Sequence, residues 1–260
     1  MLKVHNISKS YTSIAKKEHI QIEAVKPVSF EVCEGQKYAL VGESGSGKST
    51  ICKMLSGLLP PNTGEILLDE KNIYQEFHRR ELYRDMQLVM QNAAASLNPT
   101  MNIYNCIAEP LRNLGELSKE EIRYRVYELM QQMELPKELL KRKPRELSGG
   151  QQKRVTIARA IGIKPKIIIF DEAVSGLDVM VRNRIMELLD NLQKEYGFAY
   201  FFVTHDIDIA LYIADQVMVM KEGQIIENVV YNGDNTAFKD DYSHRLLGRL
   251  DVYNNKTNKF

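Results

Sequence analysis

"GESGSGKST", Gly42 to Thr50, decides how this chain is read. It fits the pattern G-x-x-x-x-G-K-[ST] and stands between a strand-like run, "YALV", and a helix-forming run that starts at Lys48. Gly42, Gly45 and Gly47 allow a curl tight enough for successive backbone N–H groups to point at one phosphate. Lys48 then supplies charge to the outer phosphates, Ser49 an oxygen for Mg²⁺, and Thr50 a further hydroxyl near the inner phosphate. The bland reading is a glycine-rich turn that binds nothing, and the strand before it and the helix after it weigh against that.

Outward from the loop, short β-branched or aromatic runs alternate with helical patterns. "KYALVG" precedes "KSTICKMLSGL", "KIIIFDE" precedes "VRNRIMELLDNLQKEY", and "AYFFVTH" precedes "DIDIALYIA". Such alternation predicts a largely parallel α/β sheet. Before it, "LKVHNISKSY" and "IQIEAVKPVSFEV" read as strands with no helix between them, which predicts an antiparallel layer. From Asn92 to about Gly162 the pattern is wholly helical, an inserted lobe. Ser118 and Glu121 have capping-box spacing, and Ile122, Val126, Leu129, Met130 and Met133 recur at helical intervals on what reads as a packing face. The end, "LLGRLDVYNNKTNKF", turns polar after Leu250 and is expected to fray.

Composition bounds the alternatives. A chain of 260 residues, 44% of them apolar, can bury a substantial core, and 35 Lys and Arg against 34 Asp and Glu leave no basic surplus for nucleic acid. No run approaches the roughly 20 apolar residues that span a bilayer, and "MLKVHNISKSY" has no hydrophobic signal core, so a cytoplasmic protein is expected. Cys33, Cys52 and Cys106 are scattered and odd in number, which argues against a disulfide framework or a zinc site and for small buried or half-buried residues.

The run "KIIIFDE" ends in two carboxylates, Asp171 and Glu172, where a central parallel strand meets its carboxyl edge. There Asp171 fits the Mg²⁺ shell, and Glu172 fits the polarisation of an attacking water. His205 follows another such strand and suits a hydrogen bond to a terminal phosphate. Gln91, after "MQLVM", suits a metal contact or a sensor of that phosphate. A second turn, "ELSGGQQKRV", offers the Ser148 hydroxyl and the Gly149 and Gly150 N–H groups where another helix begins.

Together these residues resemble the ATP-binding subunits of ABC transporters. The resemblance runs from Leu2 to Glu227: Tyr11 as the aromatic that stacks on adenine, "GESGSGKST" as Walker A, Gln91 as the Q-loop, "LSGGQ" as the signature, "IIIFDE" as Walker B, "SGLD" as the D-loop and His205 as the switch histidine. It implies a P-loop NTPase (RecA-like) core with an antiparallel β layer and an inserted α-helical subdomain over about 92–162, an ATP-binding domain over 1–230 and a tail over 231–260. It also implies ATP contacts from Ser44, Ser46, Gln151 and Asp178, and Mg²⁺ held by Ser49, Gln91 and Asp171. Glu172, Gln91 and His205 become the catalytic set. Ser148, Gly149 and Gly150 are expected to close over ATP held by the Lys48 of a second subunit.

"QNAAASLNPTMNI" and the late "YSHRLL" resemble segments of the dipeptide, oligopeptide and nickel importer group. The chain departs from that pattern at Ala93 and Ala94, where Pro and an aromatic are common, and at Ala173, where Pro usually follows Walker B. The resemblance implies a peripheral subunit at the cytoplasmic face of the membrane, working with transmembrane permeases, a related second ATPase or a second copy, and indirectly an extracellular substrate-binding protein. The short tail, with no cysteine after Cys106, mildly favours nickel or a metal chelate over peptides. An exporter ATPase, or a mechanical ABC ATPase acting on DNA or ribosomes, is the alternative. The long coiled-coil insertions and double cassettes of the mechanical class are missing from this sequence.

Overall fold

Alternating apolar residues make the first two runs a long hairpin. In the computed structural model, which describes residues 1–15 and 18–248, β1 (Leu2–Ala15) pairs antiparallel with β2 (Glu18–Val32), in a register that sets Leu2 against Val32 and Tyr11 against Ile22. The expected fraying after Leu250 lies outside the described residues.

The chain divides into two compact units, 1–76 with 201–260, and 77–200. In the first, an antiparallel sheet runs β2-β1-β4-β5, with β4 at Thr63–Leu68 and β5 at Lys71–Asn72. The same unit holds β3 (Lys37–Val41) and the helix it leads into, α1 (Lys48–Leu55). Parallel to β3 lies β9 (Gln216–Lys221), which turns back antiparallel into β10 (Gln224–Val230). Glu222 and Gly223 join that hairpin with positive φ of 47° and 81°, as a two-residue turn between twisted strands requires. Leu2, Ile7, Leu40, Ile51, Met54 and Leu55 are wholly buried here, and Phe30 stacks on Phe201 with ring centroids 5.6 Å apart.

The second unit opens with α2 (Arg79–Asp85) and β6 (Met86–Val89), the latter parallel to β7 (Ile167–Asp171). Between them, helix replaces strand throughout: α3 (Ala93–Ser96), α4 (Ile103–Leu114), α5 (Lys119–Gln132), two 3-10 turns and α6 (Gly149–Ile161). The Ser118 capping box forms in both directions, with Glu121 N donating to Ser118 Oγ at 3.2 Å and Ser118 N to Glu121 Oε2 at 2.8 Å. Ile122, Val126, Leu129, Met130 and Met133 are all buried, so the stripe is packing. After β7 comes α7 (Val179–Tyr196), ended by Gly197 at φ 72°. β8 (Ala199–Thr204), buried at every position, starts in this unit and finishes in the first, where α8 (Ile207–Ile213) follows it.

Cys52 and Cys106 are buried and Cys33 half-buried, and none of the three is in a disulfide among the described residues. Among the described residues, no helix is long and apolar enough to cross a membrane.

Candidate active site

In the first unit, β3 is buried through Val41 and then runs straight into the glycine loop. The three glycines are required for different reasons. Gly45 and Gly47 lie at φ 85° and 107°, where a side chain strains the backbone. Gly42 has no such φ; a Cβ there would sit 2.1 Å from the Met220 carbonyl oxygen, so what it permits is close approach to β9. A Cβ on Gly47 would likewise strike the Ala24 carbonyl oxygen at 2.3 Å.

Lys48, only 4% exposed, folds its ammonium into the loop and donates to Gly42 O at 2.7 Å, Glu43 O at 2.8 Å and Ser46 Oγ at 3.3 Å. A buried cation so placed puts positive charge inside the curl, beside the N-terminus of α1, and both favour an anion. Ser44 and Ser49 are exposed and Thr50 half-buried at the start of that helix, while Ser46 is buried. His205, exposed, follows β8 in the same unit; the next residue, Asp206, donates its N–H to Thr204 Oγ1 at 3.0 Å and opens α8. Tyr11 is 40% exposed on β1, an aromatic surface on a strand.

The second unit brings Gln91 and Glu172 together, 81 residues apart in sequence: Gln91 Nε2 donates to Glu172 Oε2 at 2.9 Å. The amide nitrogen makes this bond, so the amide oxygen is the Gln91 atom with metal-ligand chemistry. Glu172 stands at φ 48°, a left-handed turn directly after Asp171, the last residue of β7. That kink ends the strand between two adjacent carboxylates, a backbone outlier of the kind that clusters at functional sites.

Sequence reading missed Lys153. It is 7% exposed on α6 and donates to the Gln91 backbone oxygen at 2.6 Å. Burial lowers its pKa, with the nearby Glu172 carboxylate pulling it back up. The one available signal was a lysine on the apolar side of the helix pattern in "GGQQKRVTIA". Lys153→Met keeps the volume and removes the charge. We expect kcat to fall about tenfold as the Gln91 backbone loses a charged hydrogen bond, and Tm to fall by a few degrees as its carbonyl loses that donor. Steady-state kinetics beside a melting curve would check this, and an unchanged kcat would exclude the role.

The second glycine turn is an exposed helix start. Ser148 caps α6: Gln151 N donates to Ser148 Oγ at 3.3 Å, and Ser148 N donates to Gln151 Oε1 at 3.0 Å. Its hydroxyl oxygen accepts in the cap, so its own proton remains available to donate to an anion. A Cβ on Gly149 would meet nothing within 4 Å, whereas one on Gly150 would meet Val181 Cγ1 at 2.9 Å. Asp178 caps α7 by accepting from Val181 N at 3.0 Å, and beside it Val179 and Met180 are 58% and 79% exposed.

Comparisons with known proteins agree on what the chain is similar to. The family description "ABC transporter" matches residues 25–175. The oligopeptide transport ATP-binding protein OppF of Lactococcus lactis subsp. lactis (strain IL1403) is 39% identical over 229 residues, covering 87% of this chain and 72% of that protein. The putrescine export system ATP-binding protein SapF of Escherichia coli (strain K12) is 36% identical over 230 residues, covering 87% of this chain and 85% of that protein. Among solved structures, the dimeric post-hydrolysis state of the ATP-binding cassette MJ0796 bound to ADP and Pi superposes with TM-score 0.78 at 32% identity, over 90% of this chain and all of that one.

Proposed function

This chain belongs to the ABC transporter family and is an ATPase, and from that premise we propose that it energises the import of oligopeptides through a pair of membrane permeases. The observation that carries the cargo class is the 39% identity to an oligopeptide transport subunit along most of the chain. The tail's mild preference for nickel is the weaker signal, because cargo is recognised by other chains.

ABC ATPase cassettes dimerise, and here each subunit supplies half of two sites. Lys48 and the loop N–H groups hold the phosphates of ATP on one subunit. Ser148, Gly149 and Gly150 of a related second subunit, or of a second copy, close over them. Tyr11 stacks on the adenine, and Ser44, Ser46, Gln151 and Asp178 complete the contacts. Ser49, Asp171 and Gln91 are oxygen donors of the kind Mg²⁺ takes. Bound there, Mg²⁺ would neutralise phosphate charge.

Glu172 polarises water, with its carboxylate oriented by the 2.9 Å bond from Gln91. His205 donates to the terminal phosphate. Hydrolysis followed by phosphate release removes the charge that bridges the subunits, and the opening is passed to permeases at the cytoplasmic face of the membrane, which a substrate-binding protein loads from outside.

Uptake of a labelled oligopeptide by cells lacking the gene tests the cargo. Restoration by the wild type and not by Lys48→Ala is the expected result. Restored nickel or putrescine movement with no peptide uptake would replace peptides as the cargo while leaving the ATPase intact.

A further inference from the structure

The C-terminal segment reaches back to the phosphate loop. Glu227, on β10, accepts the backbone N–H groups of Lys239 and Asp240 at 2.6 and 3.0 Å through one carboxylate oxygen. Asp240 then accepts the N–H of Tyr242 at 2.7 Å and opens the helix at 241–248. Tyr242, 6% exposed, accepts the backbone N–H of Glu43 with its hydroxyl oxygen at 2.9 Å. Its ring lies under two cations, Lys221 Nζ at 5.5 Å and the Arg245 guanidinium at 6.0 Å, which leave it little freedom to swing.

Glu43 is the second residue of the phosphate loop, and both faces of it are engaged. Its N–H goes to Tyr242, while its carbonyl accepts Lys48 Nζ at 2.8 Å and Ser46 N at 3.2 Å. The far end of the loop is tied separately, by Gly223 N donating to Ser46 O at 3.0 Å. The β9-β10 turn and the tail tyrosine therefore both anchor the loop from outside it.

We infer that Tyr242 is a positioning residue for ATP binding, holding the start of the phosphate loop in its curled conformation through the Glu43 amide. A loop that is curled only part of the time binds nucleotide more weakly by that fraction. One hydrogen bond changes such a population by about threefold to tenfold. The effect falls on affinity and not on the chemical step, because Tyr242 acts through backbone and touches no reacting group.

The test compares two variants that each delete one hydroxyl from the same helix. Tyr242→Phe removes the anchor and keeps the ring beside its two cations. Ser243→Ala removes a neighbouring buried hydroxyl, 1% exposed, that has no hydrogen-bond partner among the described residues. The probe is mant-ATP, titrated by fluorescence, alongside hydrogen exchange of the nucleotide-free protein. Tyr242→Phe is expected to raise Kd about threefold to tenfold and to speed exchange in the peptide containing Glu43, with kcat at saturating ATP within about twofold of wild type. Ser243→Ala is expected to leave both Kd and exchange unchanged. An unchanged Kd in Tyr242→Phe, or an equal rise in both variants, would overturn the assignment, the latter by showing that the tail acts through packing alone.

Discussion

Glu172→Gln is expected to bind MgATP as the wild type does and to hydrolyse it at least about a hundred times more slowly, accumulating ATP-bound dimers. Glutamine is the informative replacement because it leaves the local structure intact. Its amide oxygen can still accept from Gln91 Nε2, which donates to Glu172 across 2.9 Å in the native chain. The backbone at φ 48° faces the same torsional cost with either side chain. What disappears is a carboxylate able to draw a proton from water, while every contact that bridges two subunits through the nucleotide remains. Single-turnover hydrolysis with size-exclusion chromatography in ATP and in ADP measures both halves of the prediction. Rapid turnover by a dimeric Glu172→Gln protein would remove Glu172 from its proposed role.

Ser148→Arg should abolish ATP-driven dimerisation and turnover while leaving the mant-ATP affinity of the separate subunit within about twofold. The structure complicates this variant, because Ser148 is also the N-cap of α6 and losing a cap costs about 1 kcal/mol. Two companions separate the effects. Ser148→Ala loses the cap but adds neither bulk nor charge, and it should still dimerise, with a Tm lowered by a few degrees. Ser148→Asp keeps the cap and sets a negative charge where a partner's phosphate would lie, and it should fail to dimerise with an unchanged Tm. Failure of the alanine variant alone would mean that the cap, and no contact across subunits, is what matters. Parallel loss of ATP binding and dimerisation in Ser148→Arg would place the turn on its own subunit's nucleotide.

Much of this chain is legible because its signals are local. The strands Lys37–Val41, Ile167–Asp171 and Ala199–Thr204 are continuous apolar runs, and each is followed by a helix whose period is plain. Ser118 with Glu121 announces a helix start within four residues, and the cap forms. The β9-β10 hairpin carries an equally local signal, Glu222-Gly223 as a two-residue turn between apolar runs. Gly42 shows the limit of such reading. Its pattern places it correctly, but its reason is a carbonyl oxygen on a strand nearly 180 residues later, where a Cβ would come within 2.1 Å.

What the sequence by itself determined was the inventory: a glycine loop with the pattern of a phosphate cradle, the carboxylates at a strand's end, and a second glycine turn at a helix start, expected to act across a pair. Each of these is a short pattern whose chemistry follows from residue types a few positions apart. Tertiary structure alone decided which side chains orient which. Gln91 meets Glu172 across 81 residues, Lys153 meets Gln91 across 62, and Tyr242 meets Glu43 across 199. A hydrogen bond needs its two atoms within about 3 Å, and over such separations only the packing of strands and helices brings them there.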